Sequence, residues 1–225
     1  MNTLLTPIAF IKNGFTEKFS IPRQGILASG MESMIIFEKQ FRDENALRGI
    51  DGFSHIWLIW GFSENDNQSF HPTVRPPVLG GNVRVGVFAT RSPFRPNGLG
   101  LSCVKLKRLE KIDGKGTVLI VEGADLMNNT PIYDIKPYLT YSDCIPDAVC
   151  GFREKAKSHI LNVVISPEII SENEEKFLSE LEEILKNDPR PAYQSDPNRV
   201  YRFRFYDREV SFTVDGNTLN VIAID

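Results

Sequence analysis

Two arginines, two prolines and an asparagine fall within the seven residues Arg91 to Asn97, inside the run GVFATRSPFRPNGLGLS from Gly86 to Ser102. Pro93 and Pro96 fix φ and stiffen this stretch, while Gly98 and Gly100 permit close backbone approach or positive φ. A loop built this way holds Arg91, Arg95 and Asn97 in defined directions, which is what binding a carboxylate, a phosphate or a base edge requires. The competing reading is that the arginines pair with carboxylates and simply tie the fold together.

A second constellation lies in GADLMNNTPIYDIKPYLTY, Gly123 to Tyr141, where Asp125, Asp134, Lys136, Tyr138, Tyr141 and nearby Asp143 gather around two more prolines. Asp134 and Tyr138 are the groups able to accept or relay a proton, and Lys136 is able to meet a phosphate. Equally, Asn128-Asn129-Thr130-Pro131 reads as an ordinary turn whose neighbours satisfy backbone donors. Two smaller features are the turn Ile21 to Gly25 and the string Asp51 to Trp57, in which His55 precedes an apolar strand and reads as structural.

Other chemistries find less support. Gly80-Gly81 and Gly98-x-Gly100 lack the spacing and context of a phosphate loop or a dinucleotide fold. Ser54-His55 has no nucleophile elbow, so a hydrolase built on His55 and Cys103 is weakly supported. Cys103, Cys144 and Cys150 are an odd number without CxxC spacing, so no disulfide framework and no metal site is expected.

The elements that must position these residues follow from the rest of the 225-residue chain, whose 41% hydrophobic content suffices for a sizeable core. Short apolar runs punctuated by Gly, Pro and Asn predict strands at Ile8–Lys12, Met34–Phe37, Ile56–Phe62, Val83–Ala89, Gly100–Lys107 and Thr117–Glu122, in a barrel or sandwich, with a helical turn at Asn45–Arg48. A helix is predicted from Ser166-Pro167, with Ile170, Phe177, Leu181, Ile184 and Leu185 on its apolar face, to Asn187-Asp188-Pro189. Alternation at Val200–Phe205 and a hairpin, Val210–Val214 with Leu219–Ile224 around Asp215-Gly216-Asn217, complete a small α+β C-terminal domain. No leader pattern opens the chain, and Ile56 to Trp60 is too short to span a bilayer, so a cytoplasmic protein is expected.

A net charge of −3 does not announce a nucleic-acid binder, but the charges are segregated. From Phe70 to Leu109 there are seven basic residues (Arg75, Arg84, Arg91, Arg95, Lys105, Lys107, Arg108) and no Asp or Glu, whereas Glu168 to Asp188 holds eight acids against Lys176 and Lys186. Local positive charge is what an RNA-handling surface needs.

The strings IPRQ (Ile21–Gln24), DGFSHIW (Asp51–Trp57), Arg75-Pro76-Pro77 with Gly80-Gly81-Asn82, VGVFATRSPFRPN (Val85–Asn97), DIKPY (Asp134–Tyr138) and DPRPAY (Asp188–Tyr193) together resemble the TsaA-like domain and C-terminal extension of the tRNA methyltransferase O family. The family pattern commonly continues RPN with Pro-Ile-Gly; here Gly98-Leu99-Gly100 follows, and Ser63-Glu64 stands where a histidine is common. The resemblance implies a mainly β protein: a non-Rossmann, TsaA-like β-barrel over residues 1–145 that binds S-adenosyl-L-methionine, and a small α+β domain over 146–225. It further implies a homodimer that methylates N6 of N6-threonylcarbamoyladenosine next to the anticodon, chiefly in a threonine tRNA.

Carried over by motif, the cofactor contacts are Gln24, Gly25 and Ile26 in the PRQ turn, Asn65 and Asp66, Arg91, Cys103, and Pro131, Ile132, Tyr133 and Asp134. The tRNA would meet Arg75, Arg84, Lys136, Arg190 and Tyr193, with Arg95 and Asn97 orienting the modified base. The carbamoyl-bearing N6 is a poor, amide-like nucleophile, so a base is needed, and Asp134 or Tyr138 is the expected one. The alternative is a noncatalytic barrel that binds RNA or senses S-adenosylmethionine.

Overall fold

In the computed structural model, residues 4–17, 21, 30–63, 70–80, 82–155, 160–190 and 196–225 are described. Strands β1 (Ala9–Lys12), β2 (Glu32–Phe37), β3 (His55–Gly61), the two-residue β4 (Thr73–Val74) and β5 (Val85–Gly86), β6 (Leu99–Ile112), β7 (Gly116–Glu122) and β8 (Pro131–Pro137) make up the first part. Then come α1 (Thr140–Asp143), β9 (Asn162–Val164), α2 (Pro167–Glu172), α3 (Glu175–Lys186), β10 (Tyr201–Phe205), β11 (Arg208–Asp215) and β12 (Thr218–Ile224). Among the described residues no helix is long and apolar enough to cross a membrane.

Six antiparallel strands close on themselves in the order β1-β2-β7-β6-β3-β8, the connectivity of a closed barrel. Alternation explains the ring: Ile56, Leu58 and Trp60 of β3 are buried inside with Ala9, Ile11, Ile35, Phe37, Val104, Leu119, Val121 and Ile132, while His55, Trp57 and Ile59 take the outer face. Strand β8, read from sequence as a functional segment, is a ring member paired with both β1 and β3. Its register jumps between Ile59 and Trp60, which oppose Asp134 and Ile132, leaving Tyr133 as an extra, bulged residue.

Two expectations need correction. Val83–Ala89 is not a full strand: the ladder stops after Thr73↔Gly86 and Val74↔Val85, and Val87–Ala89 coils into a 3-10 turn. Pro72, Pro76 and Pro77 on the opposing segment offer no N–H to extend it. The single helix is two. Ser166 caps the first as predicted, its hydroxyl accepting from the Ile169 N–H. Asn173 then turns extended, donates through Nδ2 to the Ile169 carbonyl at 2.8 Å, and accepts from Arg208 Nη1. Ile170 consequently stays half-exposed, off the buried face of Phe177, Leu181, Ile184 and Leu185.

The second core lies between α3 and the sheet β10-β11-β12-β9, where the short β9 runs parallel to β12. Phe15 (1% exposed) and Met31 (3%), which precede and follow residues 17–30, belong to this core rather than to the ring. The Tyr206 N–H donates to the Gly14 carbonyl at 2.9 Å, and Tyr206 Oη donates to the buried Glu180 carboxylate at 2.8 Å. Gly14 is obligatory: a Cβ there would come within 2.7 Å of the Tyr206 ring. The two halves are therefore sewn together. Phe15→Ala should cost about 3–5 kcal/mol, read as one cooperative urea transition moved to lower concentration; two separate transitions would show independent halves.

Candidate active site

A cleft of about 260 Å³ opens at the Gly61 end of β3, lined by Leu5, Gly61, Phe62, Pro93, Arg95, Pro96, Asn97, Gly98, Leu99 and Tyr133. Glycines make the close packing possible. A Cβ on Gly61 would sit 2.7 Å from the Tyr133 ring, and one on Gly100 would sit 2.3 Å from the Trp60 indole. Trp60 Nε1 donates to Ser102 Oγ at 3.0 Å, and Ser102 Oγ donates in turn to Asp125 Oδ1. This buried chain fixes the floor, against which Phe62 packs edge-on at 4.5 Å between centroids.

The arginine-proline loop is stiffened by its own backbone. Arg95 Nη1 donates to the Thr90 carbonyl at 2.6 Å and the Val87 carbonyl at 3.4 Å, and Thr90 Oγ1 donates to the Val87 carbonyl at 2.8 Å. Arg95 thus ties the loop through carbonyls, not carboxylates, while still lining the cleft. Arg91 is exposed, and among the described residues it forms no ion pair.

Outside the ring, β8, β3 and β6 set side chains in rows. Asp134, Ile59 and Leu101 form one row, and Lys136, Trp57 and Cys103 the next. Asp134 Oδ2 pairs with Lys136 Nζ at 2.9 Å, and Asp134 Oδ1 accepts the Ile135 N–H. Leu101, 54% exposed, and the half-buried Ile59 give the Asp134 row an apolar floor. Tyr138 lies at the other end of β3, its N–H on the His55 carbonyl and its ring 5.8 Å from Trp57, so it is a strand length of about 20 Å from the cleft. Burial, then Cys144, Cys103 and Asp143, raise the Tyr138 phenol above its usual range, and burial followed by Asp143 raises the Cys103 thiol. Neither is poised as a base or nucleophile at neutral pH.

The tRNA-methyltransferase O N-terminal domain model matches residues 10–144, and the C-terminal domain model of the same family matches 159–225. The chain belongs to the tRNA methyltransferase O family. It is 36% identical to a tRNA (adenine(37)-N6)-methyltransferase of Escherichia coli, over 97% of this chain and 96% of that protein. It is 38% identical to a putative S-adenosylmethionine-dependent methyltransferase, RcsF, of Pseudomonas aeruginosa, over 93% of this chain and 92% of that one. A crystal structure of TrmO from Pseudomonas aeruginosa superimposes with a TM-score of 0.79 at 30% identity, covering 100% of both chains.

The site residues expected from the sequence and from the resemblance sort into groups in the structure. Arg95, Asn97 and Tyr133 meet in the cleft, with Asp134 the next residue outward. Ile132 is fully buried in the ring core, so its side chain cannot reach a cofactor; strand alternation points it inward. Pro131 pairs with Phe10 at the β1 edge, and Cys103 lies beside Trp57, away from the cleft. Arg84 is held by the Thr73 hydroxyl at 2.7 Å. Arg190 is buried in a two-point ion pair with Asp188, at 2.8 and 2.9 Å, and lies over the Tyr201 ring, so it ties the α3–β10 connection instead of facing RNA. Gln24, Gly25, Ile26, Asn65, Asp66 and Tyr193 lie outside the described residues. Gly61, Phe62 and the Trp60–Ser102–Asp125 chain were not foreseen; the one sequence signal was a glycine interrupting the apolar run before Phe62.

The segment after β8 is pinned by Asp143, whose Oδ2 accepts from the Leu139 N–H and from Trp57 Nε1, each at 2.9 Å. The Leu139 N–H foremost, then Trp57, hold the Asp143 carboxyl below its usual range. That link is therefore complete above the ordinary aspartate range near pH 4 and is lost as pH falls through the lower folded value. Tryptophan fluorescence should report an acid transition below about pH 4 that Asp143→Asn removes; an unchanged transition in the variant would assign it elsewhere.

Proposed function

We propose that this chain methylates N6 of N6-threonylcarbamoyladenosine beside the anticodon of tRNA, chiefly threonine tRNA, with S-adenosyl-L-methionine as methyl donor. The observation that carries the site assignment is the placing of Asp134 on the outer face of β8, directly after Tyr133, which shares the cleft with Arg95 and Asn97. The donor set suits such a cofactor. Phe62, Leu99, Ile59 and Leu101 offer apolar and aromatic surface for a nucleoside and a sulfonium, and Arg91 offers a cation for the cofactor's amino-acid carboxylate.

The cofactor supplies a methyl group already activated on a positive sulfur. What the protein must add is alignment, dryness and a proton acceptor. Asp134, oriented by Lys136, would take the N6 proton as that nitrogen bonds the methyl carbon and the carbon–sulfur bond breaks, its electron pair leaving on sulfur as a neutral thioether. Asn97 and the Arg95 N–H groups not spent on Thr90 and Val87 orient the threonyl carboxylate and carbonyls. Tyr138, remote and with a raised phenol, is the weaker candidate for the base. The relatives named for tRNA adenine-37 methylation support this substrate. The barrel of residues 1–145 carries the chemistry and residues 146–225 brace it, in a cytoplasmic homodimer whose second copy covers the exposed Tyr141, Ile145 and Val149.

With a radiolabelled methyl donor, bulk tRNA from cells lacking this protein should take up label; no transfer, with tRNA or cofactor still bound, would instead indicate a noncatalytic binder or sensor. Asp134→Asn should lower turnover about 10²- to 10⁴-fold with cofactor affinity retained, and full turnover would remove Asp134 as the base. Arg75→Gln should flatten the salt dependence of tRNA affinity by about 0.7 in the log–log slope, one phosphate contact on a single strand. An unaltered slope would take Arg75 off the RNA face.

A further inference from the structure

The basic stretch from 70 to 109 divides in two. On β6, Lys105 and Lys107 pair with Glu122, and Arg108 pairs with Glu32 and Glu110, so that half is neutralised by its neighbours. Residues 70–98 contain no Asp or Glu, and among the described residues Arg75 and Arg91 have no ion-pair partner. In this acid-free half two phenylalanines stand in water: Phe88 is 71% exposed and Phe70 is 48% exposed, their rings stacked at 26° with centroids 6.4 Å apart.

The display is held rather than loose. Phe88 is the middle residue of the 3-10 turn Val87–Ala89, whose first side chain is buried and whose Val87 carbonyl accepts from Thr90 N, Thr90 Oγ1 and Arg95 Nη1. The Val87 N–H donates to the Pro72 carbonyl, joining the turn to the stretch that begins at Phe70. The Arg95 guanidinium lies 5.8 Å from the Phe88 centroid and also lines the cleft, so cleft and exposed rings share one side chain. Fixing large apolar groups in solvent is unfavourable unless something covers them.

We propose that Phe88, backed by Phe70, is a stacking platform for an unpaired base of the RNA substrate next to the adenosine in the cleft, with Arg75 meeting a flanking phosphate. The proposal rests on tRNA being the substrate. Bringing N6 of one adenosine into a cleft separates it from its stacked neighbour, and an aromatic side chain restores the lost π-contact to whichever base is left bare. Charge selects this occupant over a second copy of the chain. A two-fold pairing centred on this patch would set the same acid-free, arginine-bearing surface against itself, whereas a polyanion complements it.

Direct tRNA-binding titrations test the platform independently of methyl transfer. Phe88→Ala should weaken tRNA affinity on the order of tenfold, Phe88→Leu nearly as much, while Phe88→Tyr and Phe88→Trp retain it; cofactor affinity and oligomeric state should not move. Undiminished binding by the Ala variant, full binding by the Leu variant, or a change of oligomeric state accompanying the loss would each overturn the platform. A parent protein that binds tRNA without methylating it would sink the methyltransferase reading alone. One that methylates normally while Phe88→Ala binds as tightly would sink the platform alone, and a parent that binds no tRNA would sink both.

Discussion

Strand β8 is hydrogen-bonded along both edges, to β1 on one side and β3 on the other, and this double pairing closes the ring. Its backbone is committed to the fold, so only its side chains are open to chemistry, and their directions are set by pleat and bulge. Ile132 must fill the core. The extra residue at the bulge brings Tyr133 to the cleft and leaves Asp134 and Lys136 on the outer face, one row apart. Gly61 and Gly100 answer the same constraint from the neighbouring strands, where any side chain would displace the Tyr133 or Trp60 ring. A carboxylate here inherits its position from the closure of the ring.

Polar order within the floor follows from burial. Trp60 brings an indole N–H into the protein interior, where an unmet donor is costly, and Ser102 passes that hydrogen bond on to Asp125. The cleft wall made by Arg95 uses the opposite device, a cation spent partly on two carbonyls of its own loop. Gly98, where the family pattern commonly has proline, adopts a left-handed φ of 53° that proline cannot reach, and its carbonyl accepts the Phe62 N–H. The local departure in sequence is thus matched by a local backbone shape.

Much of the ring was legible because one-sided burial forces alternation: Ile56, Leu58 and Trp60 point inward as their spacing requires, and Asp215-Gly216-Asn217 joins the hairpin as its turn chemistry demands. What escaped depends on distant partners. The helix breaks at Asn173 because Arg208, on β11, holds it, and β9 is three residues long with its pairing to β12 beyond any local signal. Reading DIKPY for its chemistry hid the strand beneath it, and the resemblance alone assigned Ile132 to the cofactor, whereas the strand turns its side chain into the core. Arg95, Asn97 and Tyr133 line one cleft, whereas Tyr138, read for its phenol, lies at the far end of β3, and Cys103 lies one row beyond Asp134, beside Trp57. For Arg190 the signal was present, since Asp188 stands two residues away with a carboxylate in reach.

The joint between the halves has a consequence for how the molecule is made. Thr16 hydroxyl meets the Tyr206 carbonyl across 190 residues of chain, and Phe15 and Met31 are buried by a helix and strands that follow the whole ring in sequence. A nascent ring can pair its six strands early, but it carries two bare apolar anchors until α3 and β10 to β12 have been made, and their burial is necessarily a late, non-local step. The interval between ring closure and that docking is when this polypeptide is most exposed to aggregation and most in need of chaperone cover.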